Sequence, residues 1–180
     1  MNRAIFLDRD GTVIRDSGYI RNPDLVEPLE GARDALRRLS TEGWLVIVVS
    51  NQSGVGRGMM SADEMAAVQK RFAETMREFG APIQASYFCI HAPEENCECR
   101  KPSPSMLFRA AEENDIDLRR SWMIGDRESD ILSGKSAGCS TIWLENETHT
   151  VPRDLPNFVA RSWREIAEII SRAGEDDSAN

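Results

Sequence analysis

Two carboxylates separated by one residue close the first apolar run of the chain, and a glycine follows them: Asp8-Arg9-Asp10-Gly11. Alternate side chains of an extended segment share a face, so Asp8 and Asp10 are expected to point the same way. Their repulsion must then be offset by a cation or by a shared proton. Such an arrangement is costly and suggests chemistry. An EF-hand loop also opens with spaced acids, but its glycine stands at position six and a bidentate Glu at position twelve. Here the glycine falls at position four and Tyr19 at position twelve. A solvated acidic turn remains the plain alternative.

Three further clusters carry chemical potential. Ser50 ends the run "WLVIVVS", and its hydroxyl can donate to a phosphoryl oxygen or merely cap the turn. The glycines behind it, Gly54, Gly56 and Gly58, match neither the dinucleotide nor the Walker spacing. The segment "GDRESD" sets Asp126 and Asp130 four residues apart, which suits either an acid-rich helix N-terminus or a further carboxylate on a magnesium ion. Cys89-x-His91 and Cys97-x-Cys99 supply three thiolates and an imidazole, a donor set for a closed, structural tetrahedral zinc site. Such a site would order a loop with little apolar content of its own. Arg100 and Lys101 follow at once, so a metal-stapled loop would present a rigid pair of cations to an anion. Cys139 reads as a small buried residue and His149 as a surface one.

These residues need elements to hold them. Ala4 to Leu7 reads as a buried strand, "GARDALRRLSTEG" as an amphipathic helix stopped by Gly43, and residues 44–50 as a strand covered on both faces. Ser61 and Glu64 form a capping-box signature ahead of a stripe of Met65, Val68, Phe72, Met76 and Phe79. Strands are expected at 85–90, 121–125 and 140–144, the last being the final core strand. Helices are expected at 104–114, 128–137 and from Ser162. Alternating strands and helices argue for an α/β fold, a parallel sheet with helices on both faces. Reactive loops then collect at the carboxyl ends of the strands, where Asp8, Ser50, Cys89 and Asp126 all fall.

Composition narrows the class. The 180 residues suffice for one domain over 1–172, and 41% hydrophobic with 29% charged residues is ordinary for a globular protein. A net charge of −8 with scattered Lys and Arg is no nucleic-acid footprint. No apolar run spans a bilayer, so no membrane partner is expected. The tail from 173 to 180, "AGEDDSAN", is expected to be disordered. The N-terminus enters a strand-like segment without the basic and apolar regions of a signal peptide, so the cytoplasm is the expected compartment, and in a reducing environment the clustered cysteines read as metal ligands before disulfides. A monomer is expected.

Asp8-x-Asp10-Gly-Thr, then Ser50, Lys101 and Gly125-Asp126-x₃-Asp130, in that order, resemble the haloacid dehalogenase superfamily of phosphotransferases over residues 4–145. With "SNQSGVGRG" and the cysteine loop, the resemblance is to its zinc-loop sugar-bisphosphate phosphatases, relatives of the histidinol-phosphatase domain. The resemblance implies a capless, Rossmann-like fold that removes the 7-phosphate of a heptose 1,7-bisphosphate. Histidinol phosphate or another small phosphomonoester is the alternative substrate, and a non-catalytic zinc-stabilised binding module is the alternative of another kind. It implies that Asp8 is the nucleophile, Asp10 the general acid and base, and Ser50 and Lys101 the groups that steady the phosphoryl oxygens. Mg²⁺ is implied on Asp8, the Asp10 carbonyl and Asp126, with Asp130 in support, and Zn²⁺ on Cys89, His91, Cys97 and Cys99. Substrate contacts are implied for Asp16, Ser17, Gly18, Tyr19, Asn51, Gln52, Ser53, Arg100 and Arg127, with Arg100 on the second phosphate. Ile90 and Ser105 depart from the proline and glycine usual at those points in the family.

Overall fold

Every residue of Ala4–Leu7 is fully buried, so this strand, β1, lies inside a sheet and is covered on both faces. In a computed structural model that describes residues 1–152 and 154–178, β1 is followed by α1 (Ala32–Thr41), β2 (Leu45–Asn51), α2 (Ala62–Glu78) and β3 (Ala85–Cys89). Next come α3 (Ser105–Asn114), β4 (Trp122–Gly125), α4 (Glu128–Ala137), β5 (Ser140–Leu144), β6 (Phe158–Ala160) and α5 (Trp163–Ser178). The strands run in the order β3-β2-β1-β4-β5-β6, and every pairing is parallel. The chain therefore winds outward from β1 to β3, crosses back, and continues on the other side of β1. A crevice opens where the winding reverses, between the carboxyl ends of β1 and β4.

Strand alternation divides the core into two layers. Ile5 and Leu7 face α1, α2 and α5, packing with Leu36, Leu39, Phe72, Met76, Ile166 and Ile170. Ala4 and Phe6 face the other way, toward Met106, Leu107 and Ala110 of α3. Truncating a fully buried residue such as Leu36 to alanine costs about 2–5 kcal/mol, so either layer alone is a large share of the fold's stability. The side chain of Trp163 also ties α5 to the loop after β1, its indole N–H donating to the Thr12 carbonyl at 2.9 Å.

Most expected elements form where periodicity places them, and Ser61 and Glu64 close the capping box at the start of α2. Three points differ. The short strand β6 was not expected, since Phe158–Ala160 pairs with β5 across a long polar connection and has too few residues for a periodic signal. Phe79 leaves the core stripe of α2: it is 42% exposed and lies beneath the Arg33 guanidinium at 3.9 Å. Finally, α5 runs on to Ser178, into the acidic stretch expected to lack order. Its apolar stripe continues through Ile169 to Ala173, which packs on the core, so the helix has a tertiary partner at that point; residues 179 and 180 lie outside those described.

Candidate active site

The loop after β1 carries Asp8 to the crevice, and each neighbouring strand adds a group beside it. Lys101 is the centre of the cluster. Its ammonium donates to Asp8 Oδ1 at 2.8 Å, to the Val49 carbonyl at 2.6 Å, and pairs with Asp130 Oδ1 at 2.7 Å. Asn51 anchors that lysine by giving and receiving one 3.0 Å hydrogen bond with the Lys101 backbone. Asp130 Oδ2 accepts the Arg127 N–H at 3.1 Å, so the carboxylate both caps α4 and orients the lysine. This approach requires Gly125, because a side chain there would overlap the Asp130 Cβ. Gly11 serves similarly at φ +85, where a Cβ would stand 2.7 Å from Asp126 Oδ2.

Asp126 lies at the back, 1% exposed. Thr12 Oγ1 donates to its Oδ1 at 3.0 Å and Asn146 Nδ2 to its Oδ2 at 2.9 Å. His149 brings Nδ1 within 3.2 Å of that same oxygen, off the hydrogen-bond line. His149 is thus not the plain surface residue expected, because the loop after β5 folds it back against the crevice. Oxygens of Asp8, Asp126 and Asp130 all lie within 4.8 Å of one another.

Charge in this cluster does not balance. Asp8, Asp126 and Asp130 face one ammonium and the Arg127 guanidinium, which Asp16 also engages. The lysine is held protonated: burial alone would lower its pKa, but Asp130 and then Asp8 outweigh burial. The acids are pushed the other way. Asp130 rises to about 7, through burial first and with the Asp8 charge adding to it. Asp126 is also raised, by burial and then by Asp8. Hard oxygen donors with excess negative charge are the donor set that a small divalent cation takes.

A cleft of about 270 Å³ opens in front. Asp8, Asp10, Ser50 and Lys101 line it, with Asp16, Gly18 and Tyr19 from the 11–22 flap, Asn51, Gln52 and Ser53 after β2, and Arg100 and Arg127. Ser17 and Asp126 are not among its lining residues. Gln52 is 5% exposed, and its amide donates to Asp10 Oδ2 at 2.6 Å and to Ser50 Oγ at 3.0 Å. Arg100 keeps one buried nitrogen, Nη1, without a partner, and Arg127 holds the flap through Asp16 at 3.0 Å. Sequence reading missed Ser129, which lines the cleft from within the quoted "GDRESD". It also missed Asn146, which no local pattern marks.

Beside the cleft, Cys89, His91, Cys97 and Cys99 converge. Sulfur–sulfur separations are 3.4 Å and 3.6 Å, and His91 Nδ1 stands 3.7 Å and 3.3 Å from two of the thiols. Burial pushes Cys89 up to about 12, whereas for Cys97 hydrogen bonds from Cys89 and Cys99 outweigh burial and bring it to about 7. This cluster could hold a metal ion.

Comparison with known proteins agrees with this geometry. The chain is 42% identical over 137 residues to D-glycero-beta-D-manno-heptose-1,7-bisphosphate 7-phosphatase of Helicobacter pylori strain J99, covering 76% of this chain and 79% of the relative. It belongs to the heptose-1,7-bisphosphate 7-phosphatase family. The Pasteurella multocida member of that family is 34% identical over 179 residues, covering 94% of this chain and 97% of its own. A HAD-hydrolase-like family model matches residues 98–166. The crystal structure of D,D-heptose 1,7-bisphosphate phosphatase from B. bronchiseptica, complexed with magnesium and phosphate, superposes with a TM-score of 0.85 at 28% identity, covering 95% of this chain and 99% of that one. Family membership bears out the expected superfamily, the parallel α/β fold and the enzyme class, a phosphatase.

Proposed function

We propose that this chain removes the 7-phosphate of D-glycero-D-manno-heptose 1,7-bisphosphate through a phosphorylated Asp8. The observation that carries the reading is the meeting of Asp8, Ser50 and Lys101 in one cleft, with the lysine ammonium 2.8 Å from the Asp8 carboxylate. The names of the relatives support the substrate. Asp8 attacks phosphorus, splitting one hard displacement into two easier ones. Asp10 protonates the departing sugar oxygen and then takes a proton from the attacking water. Lys101 and Ser50 stabilise the charge that develops on the phosphoryl oxygens.

Asp8, the Asp10 carbonyl and Asp126 would hold Mg²⁺, while Asp130, with both oxygens engaged, supports Lys101. When bound, the ion neutralises charge so that a carboxylate can approach a phosphate; the surplus of buried carboxylates and the magnesium in the B. bronchiseptica structure support this choice. Zn²⁺ is proposed for Cys89, His91, Cys97 and Cys99, since tetrahedral Zn–S bonds of about 2.3 Å place ligand sulfurs about 3.8 Å apart. The zinc loop sets Arg100 at the cleft, where its free nitrogen suits the second phosphate. Asp16, Gly18, Tyr19, Asn51, Gln52, Ser53 and Arg127 complete the sugar site, and Ser17 joins Asp16 to Gly18 on the flap without lining the cleft. We further propose a single catalytic domain over 1–172 that acts as a cytoplasmic monomer. Four cysteines with no disulfide among them fit a reducing compartment, and among the described residues no helix is long and apolar enough to cross a membrane.

The test is phosphate release from both anomers of the heptose bisphosphate and from histidinol phosphate, with and without magnesium, for the wild-type and Asp8→Asn proteins. The expected result is magnesium-dependent release with kcat/KM at least about 10-fold higher for the heptose substrate, a pocket-level discrimination, and none from Asp8→Asn. A preference for histidinol phosphate would overturn the substrate, and wild-type turnover by Asp8→Asn would overturn the nucleophile.

A further inference from the structure

Between the two acids of the first motif lies an arginine whose side chain is only 1% exposed. Its guanidinium turns back along the chain onto Asp10: Nε donates to Oδ1 at 3.1 Å and Nη2 to Oδ2 at 3.0 Å. The remaining nitrogen, Nη1, reaches Gln69 Oε1 on α2 at 3.4 Å, and Gln69 is itself held by donating to Ser86 Oγ at 2.9 Å. Gln52 adds a third donor to Asp10, on Oδ2. A carboxylate offers about four acceptor sites. Oδ2 is used twice and Oδ1 once, which leaves one site open, on Oδ1. Asp10 lines the cleft and its side chain keeps 17% exposure.

We infer that Arg9 is a positioning residue for the reaction proposed above, a role that rests on that reading: its fork fixes the Asp10 carboxylate so that Oδ1 carries the proton passed to the leaving oxygen. A buried guanidinium is costly to desolvate and must be paired. A purely structural arginine needs only some paired acceptor, whatever role that acid has in the reaction. Here both prongs are spent on the acid assigned to the leaving oxygen, and the third nitrogen is braced from behind by Gln69. A planar fork sets the plane of its partner carboxylate, which a point charge does not.

Arg9→Lys keeps the charge and loses the fork. Its kcat/KM for the heptose bisphosphate should fall about 10-fold or more, within the usual worth of acid catalysis. For p-nitrophenyl phosphate, whose phenolate departs without a proton, the loss should stay under about 3-fold, because kcat/KM reports steps up to the leaving group's departure. Adding Arg9→Lys to Asp10→Asn should cost nothing further, since residues acting as a unit are not additive. Equal losses on both substrates, or additive losses, would mean that Arg9 only supports the fold. Should Arg9→Lys fail to fold, Gln69→Leu, which removes the brace, must show the same leaving-group dependence at smaller size, or the inference falls. If Asp10→Asn itself lacks that dependence, the acid assignment is what fails; if Asp10→Asn has it and Arg9→Lys does not, only the role of Arg9 is lost.

Discussion

Asn51 and Lys101, fifty residues apart, exchange two 3.0 Å hydrogen bonds: the Asn51 amide donates to the lysine carbonyl and its oxygen accepts the lysine N–H. The residue after Ser50 thereby clips the cysteine loop to the end of β2, and the Lys101 side chain is aimed from that clip. Asn51→Ala should lower kcat by about 10-fold, less than the 10²–10³ typical of deleting a transition-state donor outright. Thermal unfolding should change little, and steady-state kinetics at saturating magnesium reads the outcome. Unchanged kcat would mean that the Asp8 and Asp130 contacts alone place the lysine.

Cys97→Ser should remove the metal and loosen the loop that carries Arg100 and Lys101. One hard ligand replaces a thiolate in a soft set, so metal content by mass spectrometry should drop to background. The midpoint of thermal unfolding should fall by about 2–4 °C for each kcal/mol lost. Activity should fall with it, because Lys101 sits two residues from Cys99. Full metal occupancy in this variant would show that the four residues do not act as one site.

Asn146 and His149 reach Asp126 from a loop twenty residues downstream. Partners that orient a metal ligand typically carry 10–100-fold in metal affinity. Asn146→Ala should therefore raise the magnesium concentration for half-saturation by about 10-fold, measured by calorimetric titration, with kcat at saturating magnesium preserved. A fall in kcat with unchanged magnesium affinity would assign the loop another role.

The buried acids also imply a pH dependence of stability in chelated protein. The folded-state pKa of Asp130 lies near 7, above its ordinary 3.8, so the folded state binds the proton more tightly. Its contribution to stability is complete below about 3.8 and is lost as pH rises through 7. Denaturant unfolding of wild type against Asp130→Asn should show the wild type losing relative stability from pH 4 to 7, then running parallel. A wild type that gains on the variant over that range would contradict the sign.

Local chemistry was legible where it repeats or clusters. The period of Leu36 and Leu39 identified a helix, and the unbroken β-branched run to Val49 identified a buried strand. The spacing of Cys89, His91, Cys97 and Cys99 identified a donor set, since three thiolates and an imidazole within eleven residues need no knowledge of the fold. Phe79 misled because its stripe position matched the helical period while the helix ended beside solvent and Arg33. β6 escaped notice because three residues carry no period.

By itself, the amino-acid sequence determined which residues could do chemistry and which segments would be strands or helices, because backbone periodicity and side-chain type act over a few neighbours. Tertiary structure alone decided that β4 lies against β1, bringing Asp126 beside Asp8, and that Asn146 and His149 return to that carboxylate. It also decided that the Arg9 fork closes on Asp10 instead of a distant acid. Strand order and loop return are set by the summed packing of two core layers, a long-range balance that no short stretch of chain encodes.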